Sequence, residues 1–390
     1  MSVISGQRTV GNISSDQRAI DMAKPILLLE PSAAPLTVLL GNIEGRKRRA
    51  IDPTFKWLED RAEARFDAVN YASGYNSSAT SVVVDTGEVF AAQDIIKAPS
   101  TGEILYVSSV SSNTLTVVRG FAGSTAASLA DDTVLLIIGT AAKEGDTSLA
   151  ARSENPTTKT NYTQIFKTSV DASGTALSSS NESSPHDWDH QRKKGGIEHV
   201  KDIEYAFWHS KPYANTVGSS AVRTTGGVFH FCTSNNQDMG GTMTESEFEQ
   251  FIRTGFRYGT QSKKTLFVSP LAMSVINQFS VSKLQTTVGQ TKYGVQIREV
   301  ATGHGMVNLV KANMMEGATY GGYMALLDLA DETFAYRYLD GDGPGGSRDT
   351  KLLEHREEND RDGRKDEWLS EVGLQCGQAE RHAVATGITG

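Results

Sequence analysis

The chain has 390 residues, with 38 Lys and Arg against 46 Asp and Glu, giving a formal net charge of −8. That length is enough for two or more domains with a sizeable core, and the acidic balance argues against a dedicated nucleic-acid binder. No window approaches the ~18 apolar residues of a membrane span, and the opening MSVISGQRTVGN lacks the charged-then-apolar layout of a signal peptide. Met1 adds the expectation that no leader was cleaved before it. Residues 1–50 read as an extended N-terminal arm. Pro25, Pro31 and Pro35 break any helix there, yet ILLL at 26–29 and PLTVLL at 35–40 are apolar. Such an arm cannot make its own core and is expected to lie on another surface, in the same chain or in a neighbour. The basic run Arg46, Lys47, Arg48 and Arg49 comes next, suited to phosphate, to carboxylate partners or to solvent.

Residues 51–180 read as a long two-stranded excursion. FKWLE at 55–59 alternates in the strand manner, with Phe55 and Trp57 on one face, and NYTQIFKTSV at 161–170 is a second strand rich in β-formers. Between them, 75–142 has its own rhythm. Strands at 81–85, 103–110, 113–120 and 133–139 are separated by Gly, Pro, Asn and Asp turns, the pattern of a small β-barrel or β-sandwich. A flexible hinge, 174–184, leads onward.

Pro185 to Pro212 reads as one helix, capped by Ser184 and about 40 Å long. Ile197, Val200, Ile203 and Phe207 recur at three- and four-residue steps and form its packing stripe. Gly195-Gly196 is a soft point at which the rod can bend. Beyond it the pattern is mixed α/β. A strand is expected at 227–231, and a helix at 243–256 with the capping box Thr244 and Glu247. A buried strand at 265–269 precedes a short helix at 270–279. Strands at 293–300 and 306–311 flank the turn Gly303-His304-Gly305, and strands at 325–329 and 333–339 complete one sheet. In the last pair of strands, Trp368, Val372, Leu374 and Cys376 share a face. There is no internal repeat.

The candidate chemistry is thin. Gly341 to Gly346 fits G-x-G-x-x-G by letter, but residues 347–355 read as strand, not as the helix a pyrophosphate needs, so the motif reads as a turn. Asp340 and Asp342, like Asp360 and Asp362, are fragments of a calcium loop without its twelfth-position acid. His186 and His190 lie four apart without the glutamate of a zinc motif or a third ligand. His304 fits a turn better than a catalytic base. Cys232 and Cys376 are far apart in sequence, so no disulfide framework or paired metal knuckle is expected, and a reduced, cytosolic setting is the simpler reading. No metal or cofactor is called for, and no catalytic residue is assigned.

The order of these parts resembles the Johnson-type fold of tailed-phage major capsid proteins, in particular a subfamily with a small β-domain inside the extended loop. The resemblance rests on scattered segments covering most of the chain: TVVRGFAGS (116–124), NYTQIF (161–166), EYAFW (204–208), GHGMVNLV (303–310) and HAVATGI (382–388). It implies an α+β chain with an N-arm at 1–50 and an extended loop at 51–180 carrying the inserted β-barrel or β-sandwich at 75–142. A spine helix of the peripheral domain would occupy 181–215. The axial domain plus returning peripheral strands would fill 216–345, and closing strands 346–390.

On that resemblance the chain is a structural subunit, not an enzyme. Hexamers and pentamers of it would form an icosahedral shell around double-stranded DNA, in the virion after assembly in the host cytoplasm. Leu27, Leu28, Leu36 and Leu39 would dock the arm on an adjacent subunit, and Phe55 and Trp57 would anchor the excursion between subunits. Arg46 to Arg49 would meet acidic neighbours or phosphate. Portal, scaffold and decoration proteins are further candidate partners, and no membrane is involved. A tail- or fibre-type binding protein is the alternative reading. A hydrolase using His304 and nearby carboxylates is the third.

Overall fold

The computed structural model describes residues 34–61, 64–145, 155–179, 187–259, 262–280, 286–292, 295–317, 319–329, 334–341 and 346–389. Leu27, Leu28, His186, the Ser184–Pro185 cap and the middle of the 341–346 turn lie outside them. The chain divides into two compact units, Leu58–Thr157 and the remainder.

The smaller unit is a barrel. Its strands, in spatial order, are Phe66–Ala68, Val134–Thr140, Asp94–Lys97, Ile104–Ser111, Thr114–Val118 and Ser81–Val83, with every neighbouring pair antiparallel. A bridge between Val69 and Val84 joins the two ends of that order. Around it the Asn70 N–H donates to Val83 O and the Asp85 N–H to Ala68 O, so the sheet closes on itself. Period-2 patterning produces this. In Val134–Thr140, Leu135 and Ile137 enter the core with Val82, Ile96, Leu105 and Leu115, whereas Val134, Leu136 and Ile138 face outward. Phe66–Ala68 and Asp94–Lys97 are too short to announce themselves by alternation.

One buried ion pair fixes the barrel's longest turn. The Arg119 guanidinium donates to both Glu103 carboxylate oxygens, each at 2.8 Å, and the Gly120 and Ala127 amides add 3.1 Å bonds to the same carboxylate. Burial pushes the Glu103 carboxyl up, but these donors together hold it below its ordinary range. The Arg-Gly step in TVVRGFAGS therefore has a structural purpose, with Gly120 in the left-handed region at φ +59°.

The larger unit contains two principal sheets. One runs Lys47–Ala50, Phe334–Leu339, Gly363–Cys376, Gln164–Ser173 in space, with Lys351–Leu353 also paired to Gly363–Cys376. The other has seven strands: Asn236–Gly241, Ala383–Ile388, Met324–Leu327, Lys263–Val268, Gly305–Lys311, Val295–Thr302 and Thr286–Lys292. Met324–Leu327 and Phe334–Leu339 thus belong to different sheets, contrary to the expectation of one. Each finds partners far away in sequence, which local pattern does not encode. The helices Glu245–Gly255 and Pro270–Ser280 cover the seven-stranded sheet through Phe248, Phe251, Ile252, Val275 and Ile276. The Thr244–Glu247 capping box is present.

The long helix, Asp187–His209, has 23 residues and runs unbroken through Gly195-Gly196. It lies on the strands Gln164–Ser173 and Gly363–Cys376. The glycines are explained by close approach: a Cβ on Gly195 would come within 2.8 Å of Val170 Cγ2, and one on Gly196 within 3.0 Å of Trp368 Cζ2. His199 continues that face, hydrogen-bonded through Nδ1 to Thr168 (3.0 Å) and through Nε2 to Ser370 (2.7 Å). Ile203 and Phe207 complete it in the core, while Ile197 and Val200 are half-buried on its flank. After the helix, Val228–Phe231 is a single helical turn and not the expected strand. The reason lies in Gly227, whose N–H donates to Ser210 O and whose Cα passes so near the helix end that a Cβ would sit 2.7 Å from Phe207 O.

Candidate functional site

The arm's apolar stretch at 35–40 forms a helix, Pro35–Asn42, sealed into the same chain. Its Ncap, Ala34, has no side-chain oxygen to satisfy the first amides, and Glu204 of the long helix supplies one from outside. Glu204 Oε1 accepts from the Leu36 N–H at 3.0 Å and from Trp208 Nε1–H at 2.9 Å. Its Oε2 accepts from the Thr37 N–H and hydroxyl, both at 2.7 Å. Burial pushes the Glu204 carboxyl above its ordinary range, and the four donors act against that push. Leu36, Leu39 and Leu40 enter one core with Ile203, Phe207 and Trp208. Leu36 and Leu39, expected to dock on an adjacent subunit, are both covered within the chain.

Phe55 and Trp57 are likewise covered at home. They form a cluster with Ala50, and the Trp57 ring meets Phe231 edge-on at 5.5 Å. Expected to anchor the excursion between subunits, they are each 8% exposed within the chain. The basic run is an edge strand, Lys47–Ala50, parallel to Phe334–Leu339. Lys47 forms an ion pair with Asp349 and lies over the Tyr336 and Tyr338 rings, 5.7 and 5.8 Å from their centroids. Arg48 Nε donates to Gly45 O at 3.0 Å, and Arg49 O accepts from Arg337 at 3.2 Å. The acidic partner of Lys47 therefore belongs to this chain.

The catalytic candidates do not converge. His304 lines an open cleft of about 480 Å³ with Arg253, Thr254, Phe256 and Arg257. Among the described residues that lining has no carboxylate to pair with His304. Two other buried polar groups serve the backbone. Lys264 Nζ donates to the carbonyls of Gly255, Tyr258 and Arg381 at 2.7, 3.1 and 2.7 Å, and burial pushes its pKa down to about 8, with Asp328 opposing. His382 accepts the Asp328 N–H at Nδ1 (3.1 Å) and donates from Nε2 to Gly377 O (3.2 Å), with its pKa pushed to about 3 by burial.

The uncovered surface is more informative. The hairpin Tyr213–Val217 and Ser220–Thr224 is exposed along the whole of its first strand, with Tyr213 49% and Val217 62% exposed. Its second strand is held to the larger unit by Arg223, ion-paired with Glu371 at 3.3 Å, and by the Thr224 hydroxyl, which donates to Lys211 O at 2.7 Å, so the apolar side chains on its first strand stand as an uncovered face. The hairpin is absent from the elements expected above, although Gly218-Ser219 between two β-forming runs is a hairpin signal. On the barrel, Phe66, Val134, Leu136 and Ile138 are also exposed, and Phe66 pairs directly across from Leu136.

The sequence matches the SU10 major capsid protein family over residues 3–389. A major capsid protein of Pseudomonas phage PaMx41 is 29% identical over 152 residues, which are 39% of this chain and 36% of that protein. The match thus spans only about a third of that relative's length. Among solved structures, a chain of the cyanophage A-1(L) capsid asymmetric unit superposes with a TM-score of 0.51 at 12% identity, covering 98% of this chain and 99% of that one. A chain from the capsid of a native GTA particle gives a TM-score of 0.48 at 9% identity, covering 98% and 99%.

Proposed function

Because the chain belongs to the SU10 major capsid protein family and has the Johnson-type α+β fold, we propose that it is the repeating subunit of an icosahedral shell enclosing double-stranded phage DNA. The role is structural, and family membership disfavours the tail- or fibre-type alternative. The observation that carries self-association is the uncovered hairpin at 213–224. Its outer face leaves Tyr213, Val217 and Val222 exposed, and a second copy of the chain supplies the surface that covers them. Burial of Tyr213, Val217 and Val222 at ~25 cal/mol per Å² of apolar area would favour hexamers and pentamers, repeated around each ring. Net charge of −8 suits a container wall on which DNA makes weak, nonspecific contact. Portal, scaffold and decoration proteins would meet the same shell, which assembles in the host cytoplasm.

Electron microscopy and analytical ultracentrifugation of the purified chain test this reading. Rings of five or six, or closed shells, are expected. Val217→Asp with Tyr213→Ser should shift the population to single chains while circular dichroism stays unchanged. A wild-type chain that remains a small oligomer at every concentration and salt condition, alone or with phage lysate factors, would overturn it.

A further inference from the structure

The chain's two thiols meet in the core of the larger unit. Cys232 comes directly after the single helical turn Val228–Phe231, and Cys376 ends the strand Gly363–Cys376. They are 144 residues apart in sequence, yet their Sγ atoms lie 3.5 Å from each other. Both are buried, 4% and 2% exposed, among Phe334, Leu374 and Val384. His382 places a ring nitrogen within 4.8 Å of both sulfurs, so the trio has the composition of either a metal site or an oxidisable dithiol.

The hydrogen bonds decide between them. Both His382 nitrogens are committed, Nδ1 to the Asp328 N–H and Nε2–H to the Gly377 carbonyl. A metal ion would have to break one of these buried bonds. It would also find no fourth His, Cys, Asp or Glu ligand in the cluster among the described residues. The sulfurs already face each other at 3.5 Å. Each cysteine lies at the end of its element, where backbone can absorb the closure of about 1.5 Å that a covalent S–S bond requires.

We propose that Cys232 and Cys376 form an intrachain disulfide when the folded protein meets hydrogen peroxide or another small hydroperoxide. One thiol attacks the peroxide oxygen, the O–O bond breaks, water leaves (the alcohol, from an organic hydroperoxide) and a sulfenic acid remains. The second sulfur then attacks the sulfenic sulfur, and its proton leaves with the hydroxyl as a second water. Two thiols are oxidised and one peroxide is reduced. Burial restricts the reaction to small neutral oxidants, so the pair stays reduced in a reducing cytoplasm and closes in an oxidising exterior. The bond would tie the turn beneath the long helix to the central strand of its sheet, adding rigidity after folding is complete.

The experiment treats reduced, full-length protein with hydrogen peroxide, denatures it in iodoacetamide and maps the peptides by mass spectrometry. Expected is joint loss of both alkylation sites and a linked Cys232–Cys376 peptide pair. The intact mass should fall by about 2 Da, a phosphine reductant should reverse it, and the melting temperature should rise by about 5 °C or more. Cys376→Ala should abolish the linked pair. Should that variant not fold, the wild-type peptide map decides alone. The proposal is overturned if both thiols stay alkylatable under peroxide that fully oxidises the guanidine-unfolded chain. Links between chains instead of within one, or stoichiometric zinc retained through dialysis with the thiols protected, would overturn it equally.

Discussion

Glu204→Gln removes one charge and changes no shape. The carboxylate receives four donors, two on each oxygen. A glutamine oxygen in the Oε1 position keeps Leu36 and Trp208, and its NH2 then confronts the Thr37 N–H and hydroxyl. The hydroxyl can rotate and accept, but the Thr37 amide cannot, so one buried N–H at the start of Pro35–Asn42 is orphaned. That costs about 1–3 kcal/mol. Loss of negative charge at a helix N-terminus adds about 0.3–1 kcal/mol, and relief of the buried carboxylate's desolvation is set against the charge-assisted strength its remaining hydrogen bonds lose. The net is about 1–3 kcal/mol, concentrated on the arm helix. Amide exchange over 34–42, read by mass spectrometry, should speed up roughly 5- to 150-fold, since each 1.4 kcal/mol is tenfold. Exchange in the barrel should not change. Wild-type protection of 34–42 in the variant would refute the claim that Glu204 fastens this helix.

Packing and charge set three further outcomes. Gly195→Ala, despite gaining helix propensity, should destabilise by about 1–2 kcal/mol because its Cβ meets Val170 Cγ2 at 2.8 Å. Val170→Ala in the same chain should recover part of the loss in thermal melts, and a single variant melting at or above wild type would reject the close-approach account. Glu103→Gln should cost about 3 kcal/mol by leaving Arg119 buried without its counter-charge, seen as faster amide exchange over 119–127; an unchanged rate there would count against it. His382 is neutral in the folded chain down to about pH 3 but takes a proton at about 6.5 once unfolded. The unfolded state therefore binds more protons between those values. Through His382 stability should fall by roughly 1.4 kcal/mol per unit as pH drops below 6.5, while Glu204, whose carboxyl burial pushes up, acts in the opposite direction. Burial also depresses His199, His209 and His230, which act in the same direction. Urea midpoints of the Glu204→Gln chain at pH 7 and pH 5 isolate the histidine effect, and equal midpoints there would contradict it.

Where one element's own residues carry the pattern, the chain is legible. The strand Thr54–Glu59, the capping box at Thr244 and the hairpin around Gly303 to Gly305 all show local chemistry at work. The long helix is visible too, but its contact face is not. Apolar letters point to Ile197 and Val200, whereas the sheet is met by Gly195, Gly196 and His199, residues that a hydrophobicity count ignores. The arm misleads for a related reason. Leu36 and Leu39 look unsatisfiable because their cover comes from the long helix and the strands beyond it, more than 160 positions away, and Glu204 is the cap their own segment lacks. Non-local pairing also hides the Cys232–Cys376 contact and splits Met324–Leu327 from Phe334–Leu339. The exposed hairpin is legible in principle, through Gly218-Ser219, but the proline before it reads first as a helix stop and masks the strands on either side of that turn.

The barrel is joined to the rest of the chain only at 57–58 and 157–158, and the strands Thr54–Glu59 and Thr157–Tyr162 at those junctions pair with each other. Entry and exit are thus side by side on a single ribbon, and the closed barrel leaves no sheet edge in want of a replacement. Exchange of this module for another at the same seam should therefore leave the larger unit's own fold intact, so the seam is where a laboratory would graft an enzyme or an epitope.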